Sequence, residues 1–153
     1  MPSRTLILAY GNPLRSDDGV AWRAAELLEK KLDSADVEIM CTHQLMPELA
    51  ERIAYAKGVI FIDAAQGEQA GRVQYTSVIA ASDSTNFTHL LSPAQLFTLS
   101  QTLYGTIPQG FSVSIAANSF EHGETLSNAI QMALPELVDA IVKLVSQLRH
   151  DMQ

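Results

Sequence analysis

Short apolar runs alternate along the chain with stretches of helical periodicity. Thr5-Leu6-Ile7-Leu8-Ala9-Tyr10 is an apolar run that predicts a buried strand. Val20 to Leu28 then repeats its apolar residues at helical spacing, which predicts a helix from near Gly19 to Leu32. Val37 to Thr42 reads as a second strand. Met46 to Tyr55 reads as a second helix, with Pro47 suited to its first turn. Gly58-Val59-Ile60-Phe61-Ile62-Asp63 is apolar up to its last residue, as a strand covered on both faces should be. Arg72 to Val78 alternates polar and apolar residues and predicts an edge strand with one wet face. Ser92 and Pro93 suit the N-cap and first position of a third helix, which runs to about Tyr104 and stops at Gly105. Phe111 to Ala117 is another strand, and a last helix runs from about Thr125 to Arg149 with a kink expected at Pro135.

Alternating strands and helices with apolar strands predict an α/β fold. The expectation is a three-layer α/β/α sandwich around a mostly parallel five-stranded sheet, flavodoxin-like or phosphorylase-like, with one antiparallel edge strand. A flavodoxin-like order, 2-1-3-4-5, would make strands one and three neighbours at the switch point where open sheets bind ligands. No linker, repeat or low-complexity tract divides the chain, so residues 1–153 are read as one domain. That length buries roughly 70% of the unfolded surface without staples.

Charge narrows the function classes. The formal net charge is -7 and the longest basic run is Lys30-Lys31, so no nucleic-acid partner is expected. Cys41 is the one cysteine, which excludes an internal disulfide framework and a cysteine-based zinc knuckle. No apolar run approaches the ~18 residues of a membrane span, and the N-terminus lacks the features of a signal peptide. A soluble cytoplasmic protein without membrane partners is expected. The loop after strand one holds Gly11 and Gly19 but no G-x-G-x-x-G, and no Gly-Lys-Ser/Thr follows. Its acidic residues would also repel phosphate, so no nucleotide is expected.

The chemistry concentrates in that loop, Gly11-Asn12-Pro13-Leu14-Arg15-Ser16-Asp17-Asp18-Gly19. Two adjacent carboxylates sit where a strand hands over to a helix. Either could cap the helix, but both cannot occupy one cap. Asp63 ends the apolar run of strand three and is either a turn-former or a second carboxylate at the switch point, beside Asp18. His89, in Asn86-Phe87-Thr88-His89-Leu90-Leu91-Ser92-Pro93, precedes the third helix and is either a structural loop histidine or a ligand. One imidazole and two carboxylates suit a borderline dication such as nickel or zinc. Without metal, repulsion between the carboxylates should raise one pKa. His43 and Gln44 follow strand two at the same edge, and with Asn12 they are candidates to line a substrate cleft. His122 is also borne on a loop after a strand, and His150 sits in a polar tail. Cys41 and Trp22 are most simply read as core.

These segments resemble the hydrogenase maturation proteases, endopeptidases that trim the large subunit of nickel-iron hydrogenases. The resemblance spans nearly the whole chain. The family's signature after strand one is close to Gly-Asn-x-Leu-x-x-Asp-Asp/Glu-Gly, and residues 11–19 fit it. A second motif, an aspartate at the end of the third strand, is matched by Asp63; a third, a histidine just before a helix, is best matched by His89. Some members carry Ser-Pro-His there, whereas Ser92-Pro93 is followed by Ala94 and the histidine comes earlier. The resemblance implies that Asp18, Asp63 and His89 are metal ligands and that Asp18 serves catalysis, with Asp17 orienting the loop or acting as a base. It implies that the nickel is carried by the [NiFe]-hydrogenase large-subunit precursor rather than kept by the protease. Zinc or cadmium would substitute for it in crystals.

The expected reaction is metal-assisted hydrolysis of a peptide bond. Ser16 lacks an evident histidine base, and Cys41 is expected to be buried, which argues against covalent catalysis. Two other readings remain open on the same fold: a non-catalytic metal- or peptide-binding module, and a zinc-dependent hydrolase with a permanent metal.

Overall fold

A computed structural model describes residues 4–81 and 91–151. Its strands are β1 (Thr5–Tyr10), β2 (Val37–Thr42), β3 (Gly58–Gln66), β4 (Val73–Ser77) and β5 (Gln109–Ala117). Its helices are α1 (Val20–Lys31), α2 (Leu49–Tyr55), α3 (Pro93–Tyr104) and α4 (Asn128–Asp151), with a single 3-10 turn at Ser16–Gly19. They form an α/β/α sandwich around a five-stranded sheet of order β2-β1-β3-β5-β4. β1 pairs in parallel with β2 and β3, and β5 in parallel with β3; β4 alone is antiparallel, on the outer side of β5.

The strict alternation of β1 and β3 sorts the two cores. Ile7, Ala9, Ile60 and Ile62 pack on α1 and α4, through residues such as Ala24, Leu28, Leu137 and Ile141. Leu6, Leu8, Val59 and Phe61 face the other way, onto Leu49 and Ile53 of α2 and Leu96 and Phe97 of α3. Each large side chain buried in this way is worth about 1.5–3 kcal/mol, which is why two apolar faces on the central strands demand helices on both sides.

The sequence places most elements correctly. α3 has the expected start: Ser92 Oγ accepts from Gln95 N at 3.1 Å and Gln95 Oε1 accepts from Ser92 N at 2.9 Å, a reciprocal cap with Pro93 at the first helical position. It ends at Gly105, whose φ of 77° is left-handed. The strand order differs from 2-1-3-4-5 because β4 returns antiparallel and pairs with β5, leaving β3 beside β5. The helix expected over Met46–Tyr55 shortens to α2, and β3 runs three residues past Asp63 because its ladder to β5 continues through Gln66 and Ala117. α4 starts at Asn128 and runs as one helix through Pro135. Cys41 is exposed rather than buried, because β2 is an edge strand and its end is uncovered. Among the described residues, no helix is long and apolar enough to cross a membrane.

Candidate active site

The loop from Gly11 to Gly19 is shaped by its own residues. Asn12 Oδ1 accepts from Leu14 N at 2.9 Å, an Asx turn that starts the loop. Asp18 Oδ2 accepts from Asn12 N at 2.8 Å, which folds the carboxylate back over the end of β1. Gly11 permits this: its φ is 142°, and a Cβ there would strike the backbone carbonyl of Asp18. Trp22 Nε1 donates to Gly11 O at 3.0 Å, tying the loop to α1. Neither aspartate caps α1, whose N-cap is Gly19 with no side-chain bond.

The two aspartates have separate employment. Asp17 is fully buried; its Oδ1 and Oδ2 accept from N and Oγ of Ser127 at 2.7 and 2.9 Å. It pins the loop to the start of α4. Both of its oxygens are engaged, which serves the loop-orienting role expected of Asp17. The strap is reinforced by Ser16 N to Gly123 O at 2.7 Å, Ser16 Oγ to Glu121 O at 2.8 Å, Gly123 N to Leu14 O at 2.8 Å and Arg15 Nε to Phe120 O at 3.1 Å. Asp18 is left half-buried on the side facing the sheet.

Asp63 meets it there. Asp63 follows Val59 and Phe61 on the α2/α3 face of β3, and Tyr10 follows Leu6 and Leu8 on the same face of β1. The ladder pairs Leu8 with Phe61 and Ala9 with Ile62, so the next residues, Tyr10 and Asp63, emerge side by side at the carboxyl edge. The Tyr10 hydroxyl acts on the Asp63 carboxyl and favours its charged form. Burial pushes the Asp63 carboxyl up to about 6; the Tyr10 bond opposes that shift, and the charge of Asp18 adds to it. The same burial and the Asp63 charge hold the Tyr10 phenol far above its ordinary range, so it stays a donor.

The Asp63 carboxyl thus feels the charge of Asp18, and among the described residues no lysine or arginine forms an ion pair with either. That donor set, hard oxygens with uncompensated charge, fits a dication. Among the described residues, no third histidine, cysteine or acid joins them. His89 lies outside the described residues. The cleft candidates are divided: Asn12 is spent on the loop, His43 is exposed and packs edge-on to Trp22 at 5.6 Å between ring centroids, and exposed Gln44 turns toward Met46 Sδ at 3.6 Å. His122 and His150 are exposed. Sequence reading missed Tyr10 and Ser127. The parity of Tyr10 with Leu6 and Leu8 was a usable signal for the first; nothing local marks the second.

No protein-family model and no curated protein matches the sequence. Solved structures do match over almost the whole chain. The hydrogenase maturating endopeptidase HybD of E. coli superposes with a TM-score of 0.76 at 21% identity, covering 94% of this chain and 93% of that one. The chain has the hydrogenase maturation endopeptidase fold. Two further structures on this fold are similar. The [NiFe] hydrogenase maturation protease HycI of Thermococcus kodakarensis KOD1 has a TM-score of 0.71 at 22% identity, covering 94% of this chain and 93% of that one. The hydrogenase 2 maturation peptidase of Thaumarchaeota archaeon SCGC_AB-539-E09 has a TM-score of 0.69 at 19% identity, covering 94% and 98%. On this maturation-endopeptidase fold, the paired acids stand at the carboxyl edge of β1 and β3.

Proposed function

We propose that the protein is an endopeptidase that removes the C-terminal extension of a nickel-loaded [NiFe]-hydrogenase large-subunit precursor. The observation that carries this reading is the meeting of Asp18 and Asp63 at the carboxyl edge without a cation among the described residues. The fold shared with maturation endopeptidases supports it.

In this reading the nickel belongs to the substrate. Asp18 and Asp63 grip it, with His89, which precedes α3, as the third donor. A bound dication supplies Lewis acidity at the scissile carbonyl or to a water. The chain's own residues do the positioning. The Asp17–Ser127 anchor and the Gly11 turn fix Asp18, and Tyr10 favours the charged form of Asp63. Asp63 must be ionised to serve, and the approaching dication favours that form.

The test compares nickel-loaded and nickel-free precursor by intact mass. Shortening of the loaded form alone is expected. Equal shortening of both would defeat nickel recognition. Stoichiometric zinc in the purified protein would favour a resident-metal hydrolase, and binding without shortening would favour a non-catalytic module.

A further inference from the structure

β5 reads Phe111-Ser112-Val113-Ser114-Ile115-Ala116-Ala117. Its large residues are buried on the α4 side, while Ser112, Ser114 and Ala116 face the other way and remain half-exposed. The helices on that side cover β1 and β3 through Leu6, Leu8, Val59 and Phe61. Among the described residues, no helix covers the sheet face beyond β3, and that face is polar.

The register ties this face to the carboxylates. Asp63 pairs with Ser114, and Ser114 pairs with Gln74 of β4, so one row crosses three strands. Two clefts of about 380 Å³ each lie along it and share Ser114 and Gln74. The first is lined by Ala65 and the amides Gln66, Gln69 and Gln74, with Arg72. Small residues on the floor admit a main chain, and side-chain amides both donate and accept, as peptide groups require. Backbone bonds hold the turn that carries Arg72: Arg72 N donates to Gln69 O at 3.1 Å and Ala116 N to Arg72 O at 2.8 Å. With its amide oxygen turned to the guanidinium, Gln74 accepts from Arg72 Nη2 and Nε at 3.3 Å each. Among the described residues no carboxylate pairs with Arg72, in a chain of net charge -7. Glu68 lines the same cleft without forming an ion pair with it.

We propose that this shelf holds an extended segment of the substrate's tail, with an acidic side chain of that tail held by Arg72. The inference rests on the endopeptidase reading above and adds where the peptide lies. Two strand spacings separate Asp63 from Gln74, roughly 10 Å, and an extended chain covers that in about three residues. The acidic residue therefore stands about three or four positions from the scissile bond.

The test measures cleavage of nickel-loaded precursor by wild type, Arg72→Ala and Arg72→Glu. A KM raised about tenfold or more at unchanged kcat is expected, the scale of a lost hydrogen bond to a charged group. Changing the tail's acid to lysine should give the same defect with wild type, and Arg72→Glu should restore cleavage of that precursor. A wild type that cleaves while Arg72→Glu cleaves with the same KM overturns the shelf and spares the endopeptidase reading. A wild type that never shortens the loaded precursor removes both. A defect confined to a tail shortened by its last residue would assign Arg72 to the terminal carboxylate and overturn the acidic side chain.

Discussion

Tyr10 and Asp63 leave adjacent parallel strands on the same face of the sheet, and the phenol favours the charged form of the carboxyl. Hydrogen bonding from Tyr10 acts against burial, which raises Asp63 to about 6, and so keeps part of its charge available near neutral pH. Tyr10→Phe removes that bond. Binding of Ni²⁺ or Cd²⁺, followed by calorimetry across pH, should move its midpoint to higher pH in the variant. An unmoved midpoint would remove Tyr10 from the site.

The same carboxyl makes folding sensitive to pH. Asp63 is raised to about 6 in the folded chain from an ordinary 3.8, so between these values the native state binds more protons than the unfolded state. Stability contributed by this group is therefore highest below about 3.8 and is lost as pH rises to about 6. Asp63→Asn should flatten that part of the stability profile. Urea unfolding of both proteins from pH 4 upward checks it, in the absence of metal.

Ser127→Ala removes the hydroxyl that bonds Asp17 at 2.9 Å while leaving the 2.7 Å backbone bond. Loss of a hydrogen bond to a charged group costs about 1.5–3 kcal/mol. For a domain of this size each kcal/mol lowers Tm by about 2–4 °C. Thermal unfolding should show a fall of about 3–12 °C on that basis. Asp17→Ala should cost more, because it strands two donors.

Gly11→Ala tests the loop geometry. The added Cβ meets the Asp18 carbonyl, and the φ of 142° disfavours any L side chain. The turn must shift, and Asp18 with it. Dication affinity should fall about tenfold or more, as when supporting groups around a metal are lost, with the far-UV circular dichroism unchanged.

Much of this could be read from residue order. The apolar runs of β1 and β3 and the cap at Ser92 are local signals, and their elements fall where the pattern puts them. The pairing of β1 with β3, which brings their carboxyl ends together, was legible because a buried parallel pair leaves few topologies open. Strand order beyond β3 was not, since the pairing of Gln74 with Ser114 joins residues whose separation leaves no local trace. Asp17 looked like Asp18 in sequence; only the return of Ser127, far along the chain, divides their roles. Cys41 was misjudged because a strand at the sheet edge carries the same residues as one inside it.

The most direct measurement is an intact-mass time course of nickel-loaded precursor with wild type, Asp18→Asn and Asp63→Asn, each first shown to be folded. Wild type should lose the tail, and rates for both variants should fall beyond the ~100-fold that lost supporting contacts reach. Tail removal by either variant at the wild-type rate would contradict the proposed roles of Asp18 and Asp63.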